Sequence, residues 1–216
     1  GRTIYACNLG NPQALGQKPI TFYRQVLTLL EAAGNITRER SLARVVAANP
    51  ELFNESDIEP IANYIIDYSA NFLEQCRTGM GAYTESKGPL FIRTAIARYI
   101  DRRDGENIAA DPEQIFLTDG ASDAAKRIME LLITGPQDGV MIPIPQYPLY
   151  SATIKRCSGV QVSYYPDEDN DWALTQEILV EAYQKATADG VHVKCIVVIN
   201  PGNPTGAILD TPRING

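Results

Sequence analysis

Three short stretches hold residues whose types and spacing could bind a ligand, and each follows an apolar run. In "FLTDGAS" (116–122), Gly120 permits a tight turn and the residues after it start a helical pattern. The first N–H groups of a helix have no partner within it, and the helix dipole adds roughly half a positive charge there. With the Ser122 hydroxyl, this makes a place for an anion such as a phosphate. The competing reading is that Ser122 only caps the helix, and Asp119 and Asp123 weigh against an anion. No Gly-Lys-Ser/Thr follows, as a nucleotide-triphosphate loop requires, and no GxGxxG motif points to a dinucleotide.

In "PIPQYPLY" (143–150), prolines at 143, 145 and 148 fix the backbone on both sides of Tyr147. A ring held that way suits stacking on a flat ligand, although Tyr147 and Tyr150 could equally pack in the core. In "VVINPGNPTG" (197–206), Asn200 and Asn203 each precede a proline, which biases them to extended geometry and makes a cis bond accessible. Asn203 could hold its amide rigidly toward a ligand oxygen, or serve a turn or cap. An anion cradle, an aromatic plate and a fixed amide together match a flat, phosphorylated ring. Pyridoxal phosphate is one such ligand.

Other chemistries are poorly supplied. The single histidine, His192, lies at the edge of an expected strand and is a weak candidate for a catalytic triad. Cys7, Cys76, Cys157 and Cys195 form no CxxC pair, so neither a metal site nor a disulfide framework is expected, and lone thiols suit a reducing compartment.

The elements that must position these loops are legible from residue 113 on. "QIFLT", "GVMIPI", "VQVSYY" and "VKCIVVI" read as strands, and "ASDAAKRIMELLI", "PLYSATIKRC" and "TQEILVEAYQKATA" read as helices between them. That order calls for an α/β fold, a three-layer α/β/α arrangement with a mostly parallel sheet. In such a sheet ligands bind beyond the carboxyl ends of the strands, where these loops lie. Before residue 113 the chain is helical in pattern: "ITFYRQVLTLLEAAG", one or two helices in "ESDIEPIANYIIDYSANFLEQC", and "GPLFIRTAIARYIDRRDG", ended by Gly105 after basic residues. Residues 1–20, rich in glycine and proline, read as an extended arm, residues 21–110 as a helical segment and residues 111–216 as an incomplete ligand-binding domain.

The balance of the 216 residues sets further bounds. With 44% hydrophobic and 21% charged residues the chain has the composition of a soluble globular protein. A net charge of −7 with no basic run argues against a nucleic-acid or anionic-membrane partner. No apolar run approaches the roughly 18 residues of a membrane span. The chain starts "GRTIY" and ends "LDTPRING"; the first shows no targeting peptide, and the second reads as a chain that stops mid-fold. The compartment (cytoplasm, mitochondrion or peroxisome) is therefore not readable.

Taken together, "LTDGAS", "PIPQYPLYSATI" and "VVINPGNPTG" resemble the pyridoxal-phosphate aminotransferases of fold type I. "NLGNPQALGQKPITFYRQV", "GAYTESKG" and "IRTAIARYIDRRDG" narrow the resemblance to the alanine aminotransferase group, which includes glutamate:glyoxylate aminotransferases. The resemblance implies that Ala121 and Ser122 hold the cofactor phosphate, that Tyr147 stacks on the pyridine ring, and that Asn203 bonds the ring's 3′ oxygen. It further implies that Tyr83 reaches the phosphate of a neighbouring subunit in a homodimer and that Gly10 lies against the substrate. The implied reaction is transamination of an amino acid with a 2-oxo acid, alanine and 2-oxoglutarate giving pyruvate and glutamate. The family's cofactor-anchoring lysine, the aspartate at the pyridine nitrogen and the substrate-clamping arginine all lie beyond the Asn-Pro-Thr-Gly loop. The expectation is therefore an N-terminal part that is inactive alone. A short non-catalytic product that binds full-length subunits is the alternative.

Overall fold

The computed structural model describes residues 12–48, 61–77, 79–105 and 109–209. They fall into two compact units that divide between Leu117 and Thr118.

The first unit is helical. Helices α1 (Thr21–Glu31), α2 (Ala33–Ala48) and α3 (Asn63–Gln75) bury one cluster. Along α1, Phe22, Val26, Leu29 and Leu30 recur at helical spacing and meet Ile36 of α2 and Ile65 and Ile66 of α3. Helix α4 (Leu90–Asp104) starts after Pro89 and stops at Gly105, whose φ of 91° few other residues adopt. Arg102 and Arg103 in its last turn favour the negative end of the dipole, as expected. Two features here were not foreseen. Residues 12–15 of the supposed extended arm form a 3-10 turn, closed by bonds from Gly16 N–H to Gln13 and from Gln17 N–H to Pro12. Helix α2 went unforeseen because its apolar residues share no single stripe; Ile36 is its one fully buried side chain among the described residues.

The second unit is a three-stranded parallel sheet, β1 (Asp138–Pro143), β2 (Val160–Tyr164) and β3 (His192–Ile196), in the order β2-β1-β3. Helices α5 (Ala121–Leu132), α6 (Leu149–Arg156) and α7 (Gln176–Ala188) cover it. Alternate residues of the central strand point to opposite faces. Val140 and Ile142 pack with Met129 and Ile133 beside α6's Ile154, while Met141 packs with Val162, Tyr164 and Ala186 of α7. These two cores make the three layers. Thr175 caps α7, its hydroxyl accepting from Ile178 N–H at 3.5 Å.

The expected strand at 114–118 does not form. Pro112–Gln114 is a 3-10 turn capped by Asp111, and the extended residues after it join no ladder among the described residues. Leu117 N–H donates instead to Lys87 C=O at 2.9 Å. An apolar run can set extended dihedrals, but a strand also needs a neighbour of the right register.

Candidate functional site

Helix α5 turns back after Leu132 and reaches β1 through a five-residue connection, so it runs antiparallel to that strand. Twelve helical residues span about 18 Å and six strand residues about 20 Å. The N-terminus of α5 therefore stands level with the C-terminal edge of the sheet. Gly120 holds the cap position with φ 83° and ψ 174°, a conformation open in practice to glycine alone. No side chain caps the helix, and Ser122 sits inside the first turn. The capping role considered for Ser122 is thus not the one it has. Asp123 and Ala124 N–H both donate to Gly120 C=O at 3.2 Å, while the Ala121 and Ser122 N–H groups and the Ser122 hydroxyl have no partner among the described residues. Both residues are exposed. Asp123, which could repel an anion, is engaged by Arg127 at 3.4 Å.

The loop after β1 leaves the same edge. Gln146 Nε2 donates to Ser151 Oγ at 3.1 Å, and that hydroxyl donates to Pro148 C=O at 3.2 Å, so the loop is closed over Tyr147. The Ile144–Pro145 bond is cis. Tyr147 is 44% exposed, so it is not a core residue.

The loop after β3 emerges beside it, because β1 and β3 are adjacent and parallel. Both Asn-Pro bonds are cis, and the two asparagines differ sharply. Asn200 Nδ2 donates to Leu209 C=O and its Oδ1 accepts from Leu209 N–H, both at 3.0 Å, so its amide closes the loop. Asn203 is exposed, and its amide has no partner among the described residues. Gly202 and Gly206 tie the tip through bonds to Ala207 (2.8 Å) and between themselves (2.7 Å). Below the loops, the buried Tyr164 hydroxyl donates to Val197 C=O at 2.8 Å, and burial pushes this phenol up to about 12. The sheet thus brings Ala121, Ser122, Tyr147 and Asn203 to one edge.

In the helical unit, Tyr83 is 96% exposed, on a loop in which Glu85, Lys87 and Gly88 are bonded. Arg93, almost fully buried in α4, donates to Gly88 C=O at 2.9 Å, to Glu85 at 2.7 Å, to Pro112 C=O at 2.5 Å and to Glu113 at 3.2 Å. Lys87 adds bonds to the Glu113 side chain (3.1 Å) and carbonyl (2.7 Å). Hydrogen bonds from Lys87 and Arg93 hold the Glu113 carboxyl below its ordinary value. Sequence reading missed Arg93, although an arginine one helical turn before the buried Ala97 hints at an inward charge. Gly10 lies outside the described residues.

The opposite, N-terminal edge of the sheet is saturated. Asp138 accepts from Thr134 N–H and Oγ1 (2.8 Å each), Gly135 N–H (3.0 Å) and Lys194 Nζ (3.0 Å). The Thr134 bonds first, then Lys194, hold its carboxyl well below the usual carboxylate range. His192 stands 3.9 Å from the same carboxylate. Among the described residues no cluster of metal-binding side chains occurs, and no helix is long and apolar enough to cross a membrane.

Comparison with known proteins gives a consistent result. The sequence model of the family described as "Aminotransferase class I and II" matches residues 47–215. Glutamate–glyoxylate aminotransferase 2 of Arabidopsis thaliana is 40% identical over 99% of this chain and 41% of its own length. A probable mitochondrial alanine aminotransferase of Dictyostelium discoideum is 41% identical over 96% of this chain and 35% of its own length. The chain therefore spans well under half the length of these relatives. Among solved structures, alanine aminotransferase from Pyrococcus furiosus superposes with a TM-score of 0.54 at 23% identity, over 88% of this chain and 47% of that one, a likeness of fold.

Proposed function

The chain belongs to the class I and II aminotransferases, and from that premise we propose that the protein carrying it moves an amino group between an amino acid and a 2-oxo acid with pyridoxal phosphate as cofactor. The observation that carries this reading is the set of unpartnered polar groups at one sheet edge, within loops whose backbones are otherwise fixed.

The residues present fit the group. Two free N–H groups and the Ser122 hydroxyl at a helix N-terminus suit a phosphate. The accessible Tyr147 ring suits the face of a pyridine, and the free Asn203 amide suits the ring's 3′ oxygen. When bound, the cofactor supplies the electron sink for chemistry at the substrate α-carbon. The chain's own residues bind and orient it: Ala121 and Ser122 fix one end, Asn203 the other, and Tyr147 sets the plane. The exposure of Tyr83 is compatible with the role the resemblance implies for it, reaching the phosphate of a neighbouring subunit in a homodimer. The substrate-side role of Gly10 rests on the resemblance of "NLGNP" alone.

Alanine with 2-oxoglutarate is the proposed substrate pair. Glutamate with glyoxylate is the second reading, because relatives named for each activity match at 40–41% identity. The test is pyruvate release by the full-length protein from alanine and 2-oxoglutarate, compared with glycine formation from glutamate and glyoxylate. Pyruvate release the faster of the two supports the first pair, glycine formation the second, and neither product with cofactor present would remove the reading.

A further inference from the structure

The turn between β2 and α7 contains two consecutive non-glycine residues in the left-handed region, Asp171 at φ 52° and Trp172 at φ 58°. That conformation is uncommon for any residue with a Cβ and rarer still for a bulky one. The surroundings hold it in place. Asp167 N–H donates to Ala173 C=O and Ala173 N–H to Asn170 C=O, each at 2.9 Å, and the Asp167 carboxylate accepts from Asp169 N–H at 3.2 Å. Ala173 is buried just past the bend. Strain kept by so many bonds marks a residue whose direction matters.

The bend sends the half-buried Trp172 to the C-terminal edge of the sheet. There it lines a cavity of about 50 Å³ together with Pro145, Tyr164, Gly202, Asn203 and Thr205. Trp172 and Asn203 thus line one small cavity. The Asn203 loop is tied at its tip by its own bonds and at its base by Asn200, yet none of these reaches the Asn203 side chain. The indole and the Tyr164 ring are the aromatic groups lining the cavity that Asn203 shares, and Tyr164 is already tied by its hydroxyl to Val197.

We propose that Trp172 is a positioning residue for Asn203: the strained turn sets the indole against the Asn-Pro-Thr-Gly loop and so aims the amide at the cofactor's 3′ oxygen. This rests on the functional reading above, in which Asn203 meets that oxygen. The role is orientation at a distance, since no contact of Trp172 with the cofactor is invoked.

The test uses the full-length protein carrying these residues and two probes, pyridoxal phosphate and its 3-deoxy analogue, which lacks the oxygen concerned. Trp172→Ala is expected to weaken pyridoxal phosphate roughly tenfold, the size of one lost hydrogen bond, and to leave the analogue within about twofold. In an Asn203→Ala background the same change should add nothing. Trp172→Phe, which keeps an apolar ring if the alanine variant fails to fold, should show the same selectivity at about threefold. Equal weakening of both probes, or an effect additive to Asn203→Ala, overturns the inference and leaves Trp172 a packing residue. If the unsubstituted protein itself does not distinguish the two probes, the role of Asn203 fails and this inference falls with it. Discrimination by the unsubstituted protein with none lost in either Trp172 variant removes this inference alone.

Discussion

The two edges of one sheet treat their polar groups in opposite ways. At the N-terminal edge Asp138 is buried and accepts four hydrogen bonds, one from a lysine. At the C-terminal edge Ser122, Tyr147 and Asn203 make no side-chain hydrogen bond among the described residues, although the loops that carry them are pinned. The first edge ties its polar group into the fold, and the second leaves its polar groups open to solvent. The paired asparagines repeat the contrast within ten residues: Asn200 closes its loop on Leu209, and Asn203 is left free.

If the contrast is right, substitutions at the two edges should separate stability from ligand affinity. The largest effect is expected at Asp138. Asp138→Ala should lower Tm by several degrees and leave the affinity for pyridoxal phosphate unchanged, as thermal melts and a cofactor titration would show. Because its folded pKa is depressed, its stabilisation is present above the unfolded carboxylate value of roughly 3.9 and is lost as pH falls through the folded value. Melts across pH should therefore show an acid-side loss of stability below about pH 4 that shrinks in the variant.

Ser122→Ala should do the reverse, weakening the cofactor roughly tenfold with Tm nearly unmoved, since alanine is well tolerated within a helix. Next, Asn200→Ala should cost about 1–2 kcal/mol of stability from two lost bonds, while Asn203→Ala should cost little stability and reduce cofactor affinity. Equal behaviour of the two asparagines would break the comparison. The smallest effect is expected at Tyr164, where Phe removes the bond to Val197 at about 1 kcal/mol. With its phenol pushed up to about 12, Tyr164 stabilises fully below the ordinary tyrosine value near 10 and loses that contribution as pH rises through 12. An ultraviolet pH titration should find one late-titrating tyrosine fewer in the variant.

Much of this was legible in the sequence, for physical reasons that also explain the gaps. Helices α4, α5, α6 and α7 and strands β1 and β2 were readable because periodicity and end signals are local; Gly105 after Arg102 and Arg103 is one instance. The stretch at 114–118 was misread because pairing is not local: the apolar run is extended, but Leu117 bonds Lys87 and no strand. The site loops stood out through glycine, proline and asparagine, which constrain the backbone in ways a sequence displays. Asn203 was singled out, but that Asn200 is spent closing the loop could not be read, since that depends on where Leu209 returns. Arg93 and Trp172 escaped for a similar reason. One is a charge inside a helix whose partners come from Glu85 and Glu113, and the other owes its position to a turn whose left-handed residues are neither glycine nor asparagine.

The C-terminal edge, through the start of α5, is proposed to take the phosphate of a pyridoxal cofactor. This is tested most directly by measuring the binding of pyridoxal phosphate and of phosphate-free pyridoxal to the full-length protein, with and without Ser122→Ala. Saturable binding should favour the phosphorylated form by a factor of roughly ten or more, with that preference cut sharply by the substitution. Equal binding of the two forms, or a preference that survives Ser122→Ala intact, would contradict it.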